Sequence, residues 1–158
     1  MYTTIKSFVD DYAIERQSTQ KLLDALTDES LAQEALPGAG NWSIGKLAWH
    51  LVPSGGVLSY GGVALDPPSK EAAYPASAAE IAELYRRSAA SVTEAVAQKW
   101  TDADLSKEMN LFGRTFTAGS FLTLFMKHEI HHRGQLTILM RLAGLPVAGV
   151  YGPSKDER

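Results

Sequence analysis

Residues 118–143, AGSFLTLFMKHEIHHRGQLTILMRLA, decide how this chain is read. They contain no proline and run into Gly144 and then Pro146, a pair that stops a helix. On a wheel of 100° per residue, Phe121, Leu124, Phe125, His132, Gln135, Leu139, Leu142 and Ala143 fall within about 60° of His128. The expected core-facing stripe therefore has His128 and His132 at its centre, with His131 at its edge. Imidazoles at i and i+4 stack on one face about 6 Å apart, so this pair could share one ion. Two neutral imidazoles in a bundle core need partners, either a metal or hydrogen bonds to other polar groups.

The rest of the same helix carries a second apolar strip of Leu122, Met126, Ile130 and Met140. It is expected to pack on the first or third helix or to form a dimer interface. Arg133 and Gly134 lie off the core stripe, and Gly134 reads as a point where another helix comes close. Gln135 could hydrogen-bond a ligand imidazole and fix its tautomer.

Three other stretches have helical periodicity, and none has sustained strand alternation. The first places Ile5, Phe8, Val9 and Tyr12 on one face and resumes at Leu22, Leu23 and Leu26. The second starts at Asn41-Trp42-Ser43, with Ser43 as N-cap for Ile44, Leu47 and Leu51. Pro53 removes a donor, Gly55 and Gly56 add freedom, and a kink is expected just after His50. Ser77-Ala78-Ala79-Glu80 fits a capping box that opens the third helix. That helix buries Ile81, Leu84, Tyr85, Val92 and Val96 and ends at Trp100. Asp66-Pro67-Pro68-Ser69 reads as a rigid loop, and Leu111 to Phe116 as a short extended turn. Trp42 and Trp49 read as packing residues and Arg86-Arg87 as a solvated face. Four long helices in 158 residues imply an all-α four-helix bundle, a single domain over residues 1–158.

Composition narrows the function. There are 15 Lys plus Arg against 18 Asp plus Glu, a net charge of −3, so no basic stripe favours nucleic acid. The N-terminus lacks a charged segment followed by an apolar one. The weakly polar stretch from Leu47 to Leu65 is broken by His50, Pro53 and glycines, short of the ~20 apolar residues that span a bilayer. A cytoplasmic protein with no membrane partner is expected. With no cysteine, disulfides, cysteine-bound zinc and a thiol nucleophile are all excluded.

His50 is a third candidate ligand, one turn beyond Leu47 where an apolar residue would be expected. His50, His128 and His132 would give a three-nitrogen site with an open position, suited to zinc, nickel, iron or manganese, zinc being favoured by imidazole. Three neutral ligands leave the ion's charge uncompensated, which favours an anionic fourth ligand such as hydroxide, thiolate or carboxylate. His128-Glu129-Ile130-His131-His132 also matches H-E-x-x-H, in which Glu129 would activate water. No histidine follows residue 132 and the one later glutamate is Glu157, so a protease reading lacks its third ligand. On a helix, Glu129 otherwise reads as a boundary residue.

Asn41-Trp42-Ser43-Ile44-Gly45-Lys46-Leu47-Ala48-Trp49-His50 resembles the second-helix opening of the DinB/YfiT-like family. His128-Glu129-Ile130-His131-His132-Arg133-Gly134-Gln135 is similar to that family's last-helix signature. Leu142-Ala143-Gly144-Leu145-Pro146 and Tyr151-Gly152-Pro153 are similar to its usual ending. The resemblance implies a four-helix bundle, commonly a homodimer, with a divalent metal on His50, His128 and His132. It implies a metal-dependent enzyme acting on a small-molecule substrate, either a thiol S-transferase using an external low-molecular-weight thiol or a hydrolase. Leu51-Val52-Pro53-Ser54-Gly55-Gly56 departs from the more regular second helix of the family. A protein that binds metal or a small molecule without turnover is the other class.

Overall fold

The computed structural model describes residues 1–53, 58–59, 61–63, 65, 73–111 and 113–157. Gly55, Gly56, the loop Asp66-Pro67-Pro68-Ser69 and Phe112 lie outside the described residues.

Helix α1 spans Ile5–Leu23. Thr4 Oγ1 accepts the Ser7 N–H at 3.1 Å, satisfying one of the donors a helix start leaves over. Phe8, Tyr12, Thr19, Leu22 and Leu23 recur at helical spacing and are all buried. Helix α2, Ile44–Leu51, starts at the expected cap, where Ser43 Oγ accepts the Lys46 N–H at 3.3 Å. It ends rather than kinks, because Val52 is extended (φ −60°, ψ 118°) as the residue before a proline prefers.

Helix α3 spans Ala78–Lys99 and is closed by Trp100 in an extended conformation. Ser77 Oγ caps it by accepting the Glu80 N–H at 3.4 Å. A reciprocal capping box forms at Thr101 and Asp104, at the start of a short 3-10 helix over Asp102–Ser106. Helix α4 spans Ala118–Leu142, capped by Thr117 and ended at Ala143, with Gly144 at φ +72°.

The expected extended turn is a hairpin. β1 (Glu108–Leu111) pairs antiparallel with β2 (Arg114–Thr117), from Glu108↔Thr117 to Leu111↔Arg114. Gly113, at φ +73°, supplies the left-handed residue the reversal needs. Four-residue strands are too short for their alternation to stand out beside four helical patterns.

α1 packs on α3 and α4, and α2 packs on α4 and α3, around one apolar core. The buried face of α4 is turned from the expected one: Phe121 and Leu139 of the expected stripe are buried, but the histidines at its centre are not. It runs through Leu122, Met126, Glu129, Arg133, Leu136 and Met140, while Leu124 and Leu142 are exposed. Leu122, Met126 and Met140 of the second apolar strip thus belong to the core face, Ile130 is half-buried, and His128 and His132 lie to the side. The wheel went astray because Glu129, read as a boundary residue, and Arg133, read as lying off the core stripe, are both buried.

They are buried because they are paired. Arg133, 2% exposed, makes an ion pair with Glu15 Oε2 at 2.5 Å. It also donates to the Glu15 carbonyl at 3.0 Å, to Thr19 Oγ1 at 3.3 Å and to Tyr151 Oη at 2.6 Å. Glu129 Oε1 accepts from Thr19 Oγ1 at 2.7 Å and from Tyr85 Oη at 2.6 Å. A buried charge is tolerated when its polar atoms are bonded, and here the bonds tie α1, α3 and α4 into one register. Gly134, by contrast, has open space around it within the chain. Close approaches occur instead at Gly45, against the Tyr74 ring, at Gly61, against the Trp100 ring, and at Gly119 and Gly149, against the backbone of Tyr2 and Gly152.

Candidate metal centre

His50 is on the second-last residue of α2. The start of that helix is fixed by the Ser43 cap and by the Ile44 N–H donating to the Gln33 carbonyl at 2.9 Å. Leu47, Trp49 and Leu51 bury the inner side of α2, which leaves His50 half-buried at its edge. His128 and His132 project from α4 one turn apart, exposed and half-buried respectively.

These three side chains converge. Each offers one ring nitrogen, and those nitrogens lie within 4.8 Å of one another. His50 Nε2 faces His128 Nε2 at 3.1 Å. The His132 ring centroid is 4.5 Å from each of the other two. Two nitrogens each about 2.05 Å from one zinc ion are about 2.9 Å apart at a right angle and about 3.3 Å apart at the tetrahedral angle. The His50–His128 spacing falls between those values, so that pair fits a first-row divalent ion, and His132 stands within reach as the third donor.

The protonation states suit ligation. His132 Nδ1 lies 2.8 Å from Gln135 Oε1, and the amide oxygen can only accept, so Nδ1 carries the hydrogen. The lone pair is then on Nε2, and Gln135 is the tautomer-fixing partner the sequence suggested, acting on His132. His128 is held below the ordinary imidazole value, first by its partial burial and then by its neighbours His132 and His131. A neutral ring is the form that binds a metal.

His131 is exposed and stands outside the cluster, its ring centroid 5.0 Å from that of His132. Glu129 is 4% exposed and turned into the core against Thr19 and Tyr85. Burial raises its carboxyl above the ordinary range, although Tyr85, Thr19 and Arg133 pull the other way. That placement removes the H-E-x-x-H reading, since a general base must reach the metal-bound water. It also corrects Glu129 as a boundary residue. Among the described residues the metal-competent cluster contains no carboxylate.

Trp42 is the site residue that sequence reasoning took for packing. It is 39% exposed, its ring nearly parallel to that of His132 (16°, centroids 5.8 Å apart) and edge-on to His50 at 4.8 Å. Trp42 precedes α2, which begins at Ile44, so helical spacing carried no signal for its place beside His50. Trp49 is buried, as expected. Arg86 is exposed and pairs with Glu83 and with Asp24, in keeping with a solvated face. Among the described residues no helix is long and apolar enough to cross a membrane.

The sequence model of the DinB family matches residues 1–158. The chain is 40% identical over 158 residues to the uncharacterized protein YrdA of Bacillus subtilis, covering 99% of this chain and 93% of that protein. Its structure is similar to that of a DinB-like protein from Bacillus cereus, with a TM-score of 0.89 and 45% identity, over 96% of this chain and 100% of the other. The DinB-like protein YjoA of Bacillus subtilis shares the fold at a TM-score of 0.66 and 21% identity, over 93% and 98% of the two chains.

Proposed function

The chain belongs to the DinB family along its whole length, and on the convergence of His50, His128 and His132 we propose that it is a metal-dependent enzyme with an open three-histidine site. A single observation carries this reading: three imidazole nitrogens from two helices within 4.8 Å, without a carboxylate among them. Three protein ligands plus an exchangeable position is the composition of a catalytic site, whereas structural sites are closed by four. Zinc is favoured by the all-imidazole donor set, with nickel, iron and manganese as the other candidates.

When bound, the metal supplies a positive charge that lowers the pKa of an anionic fourth ligand and holds it as a nucleophile. The chain's own residues set the conditions. Gln135 fixes the His132 tautomer, α2 and α4 hold the three rings, and Glu129 faces away and acts as no base. Among the described residues the cluster has no carboxylate base, so the site would suit a nucleophile acidified by coordination, an external thiol or a water. The first gives S-transfer to an electrophile and the second hydrolysis. With no cysteine in the chain, the sulfur comes from another molecule.

The test begins with protein purified without a nickel column. Metal analysis should find about one divalent ion per chain, by the ligand count. Metal-loaded protein is then incubated with electrophiles, with and without glutathione, mycothiol or bacillithiol, and with esters. Thiol-dependent turnover supports S-transfer and thiol-independent ester cleavage supports hydrolysis. Bound metal with no turnover on either would contradict the enzyme reading and leave a metal-binding protein.

A further inference from the structure

One side of the histidine cluster is built from an aromatic ring and a cation. Trp42 directly precedes the N-cap Ser43, at the start of α2. That indole covers His132 and touches the edge of His50 while remaining 39% exposed. Lys46 lies one helical turn before His50, on the same face of α2. Its Nζ is 5.8 Å from the centroid of the Trp42 ring, within the range of a cation–π contact. Among the described residues no carboxylate pairs with Lys46.

The charges at this place are then of one sign. A divalent ion on three neutral imidazoles keeps its charge, Lys46 adds another, and the cluster holds no acid to offset them. One anionic ligand atom on the ion leaves the ammonium without a counter-charge from any described residue. We propose that Lys46, held over Trp42, is a specificity-determining residue that selects small ligands carrying a carboxylate beside the atom that binds the metal. This rests on the metal reading of the preceding section and adds to it the class of molecule the site takes.

The experiment uses the full chain loaded with cobalt(II) and three probes that share a thiol donor and differ in charge: mercaptoacetate, mercaptoethanol and cysteamine. Thiolate-to-cobalt charge-transfer absorption reads the binding of each. The expected order is mercaptoacetate tightest and cysteamine weakest. Because mercaptoacetate could also chelate the ion, the deciding quantity is the change of its preference over mercaptoethanol on substitution. Lys46→Gln should shrink that preference by about fivefold, the worth of one surface charge pair, and Lys46→Arg should retain it. Added salt should shrink it more in the native chain than in Lys46→Gln. An unchanged preference in Lys46→Gln, with cobalt and thiolate still bound, overturns this proposal and leaves the metal reading standing. Failure of the native chain to bind cobalt overturns both.

Discussion

His132 Nδ1 donates to Gln135 Oε1 at 2.8 Å, three residues along the same helix, and so directs the Nε2 lone pair towards His50 and His128. Removing the amide frees the ring to rotate and to change tautomer. Gln135→Ala is expected to weaken metal affinity by about 10-fold to 100-fold with little change in helix content, as such outer-shell partners do elsewhere. Competition titration against a chromogenic chelator measures it, and an unaltered affinity would show that the bond does not matter.

Glu129 offers a clean separation of core from chemistry. Glutamine at this position keeps a carbonyl oxygen that can accept from both Thr19 and Tyr85. Glu129→Gln should therefore retain the fold, the bound metal and any metal-dependent turnover within about twofold, because the burial that raises its carboxyl also keeps it from the site. A loss of turnover by about 100-fold or more, at full metal occupancy, would restore Glu129 as a general base.

Arg133 is a buried cation whose partners come from α1 and from the segment after α4. Arg133→Ala leaves the Glu15 carboxylate without its counter-charge and should cost about 3–5 kcal/mol, a fall in Tm on the order of 10 °C. Removing both charges together, as Glu15→Gln with Arg133→Met, should cost less than the single substitution. Thermal melts of the two variants beside the native chain decide it. Equal losses in the single and double variants would mean that packing, and not the ion pair, sets the cost.

Tyr2 donates to Asp11 at 3.1 Å, and its partial burial, that bond and the nearby carboxylates push the phenol from 10.0 up to about 12. A folded-state value above the unfolded one means that the neutral phenol stabilises the fold. The contribution is complete below pH 10 and is lost as pH rises towards 12. Tyr2→Phe should accordingly show less loss of denaturant midpoint than the native chain over that interval. Identical alkaline slopes would contradict the shift.

Helix positions were legible because their punctuation is local. Ser43, Thr117 and Gly144 act within a turn of themselves, and each does what its residue type favours. The face that α4 buries was not legible, because it depends on partners from other elements, those on α1 being 110 or more residues away. Thr19 makes Glu129 a core residue, and Glu15 does the same for Arg133. His50, His128 and His132 could still be picked out, since spacing along α4 and the odd polar position on α2 survive a rotation of the wheel. Trp42 was missed for the opposite reason: an aromatic beside a helix start looks the same in sequence whether it packs or lines a site. Lys46, one turn on, was one more surface charge until the ring placed it near the cluster.

The central claim is that His50, His128 and His132 hold the ion while His131 does not. It is tested most directly by metal content of the native chain beside His50→Ala, His131→Ala and His132→Ala, all purified alike without a nickel column. The expected result is about one ion per native chain, full retention in His131→Ala and loss in the other two. A site emptied by His131→Ala and kept by His132→Ala would contradict the account.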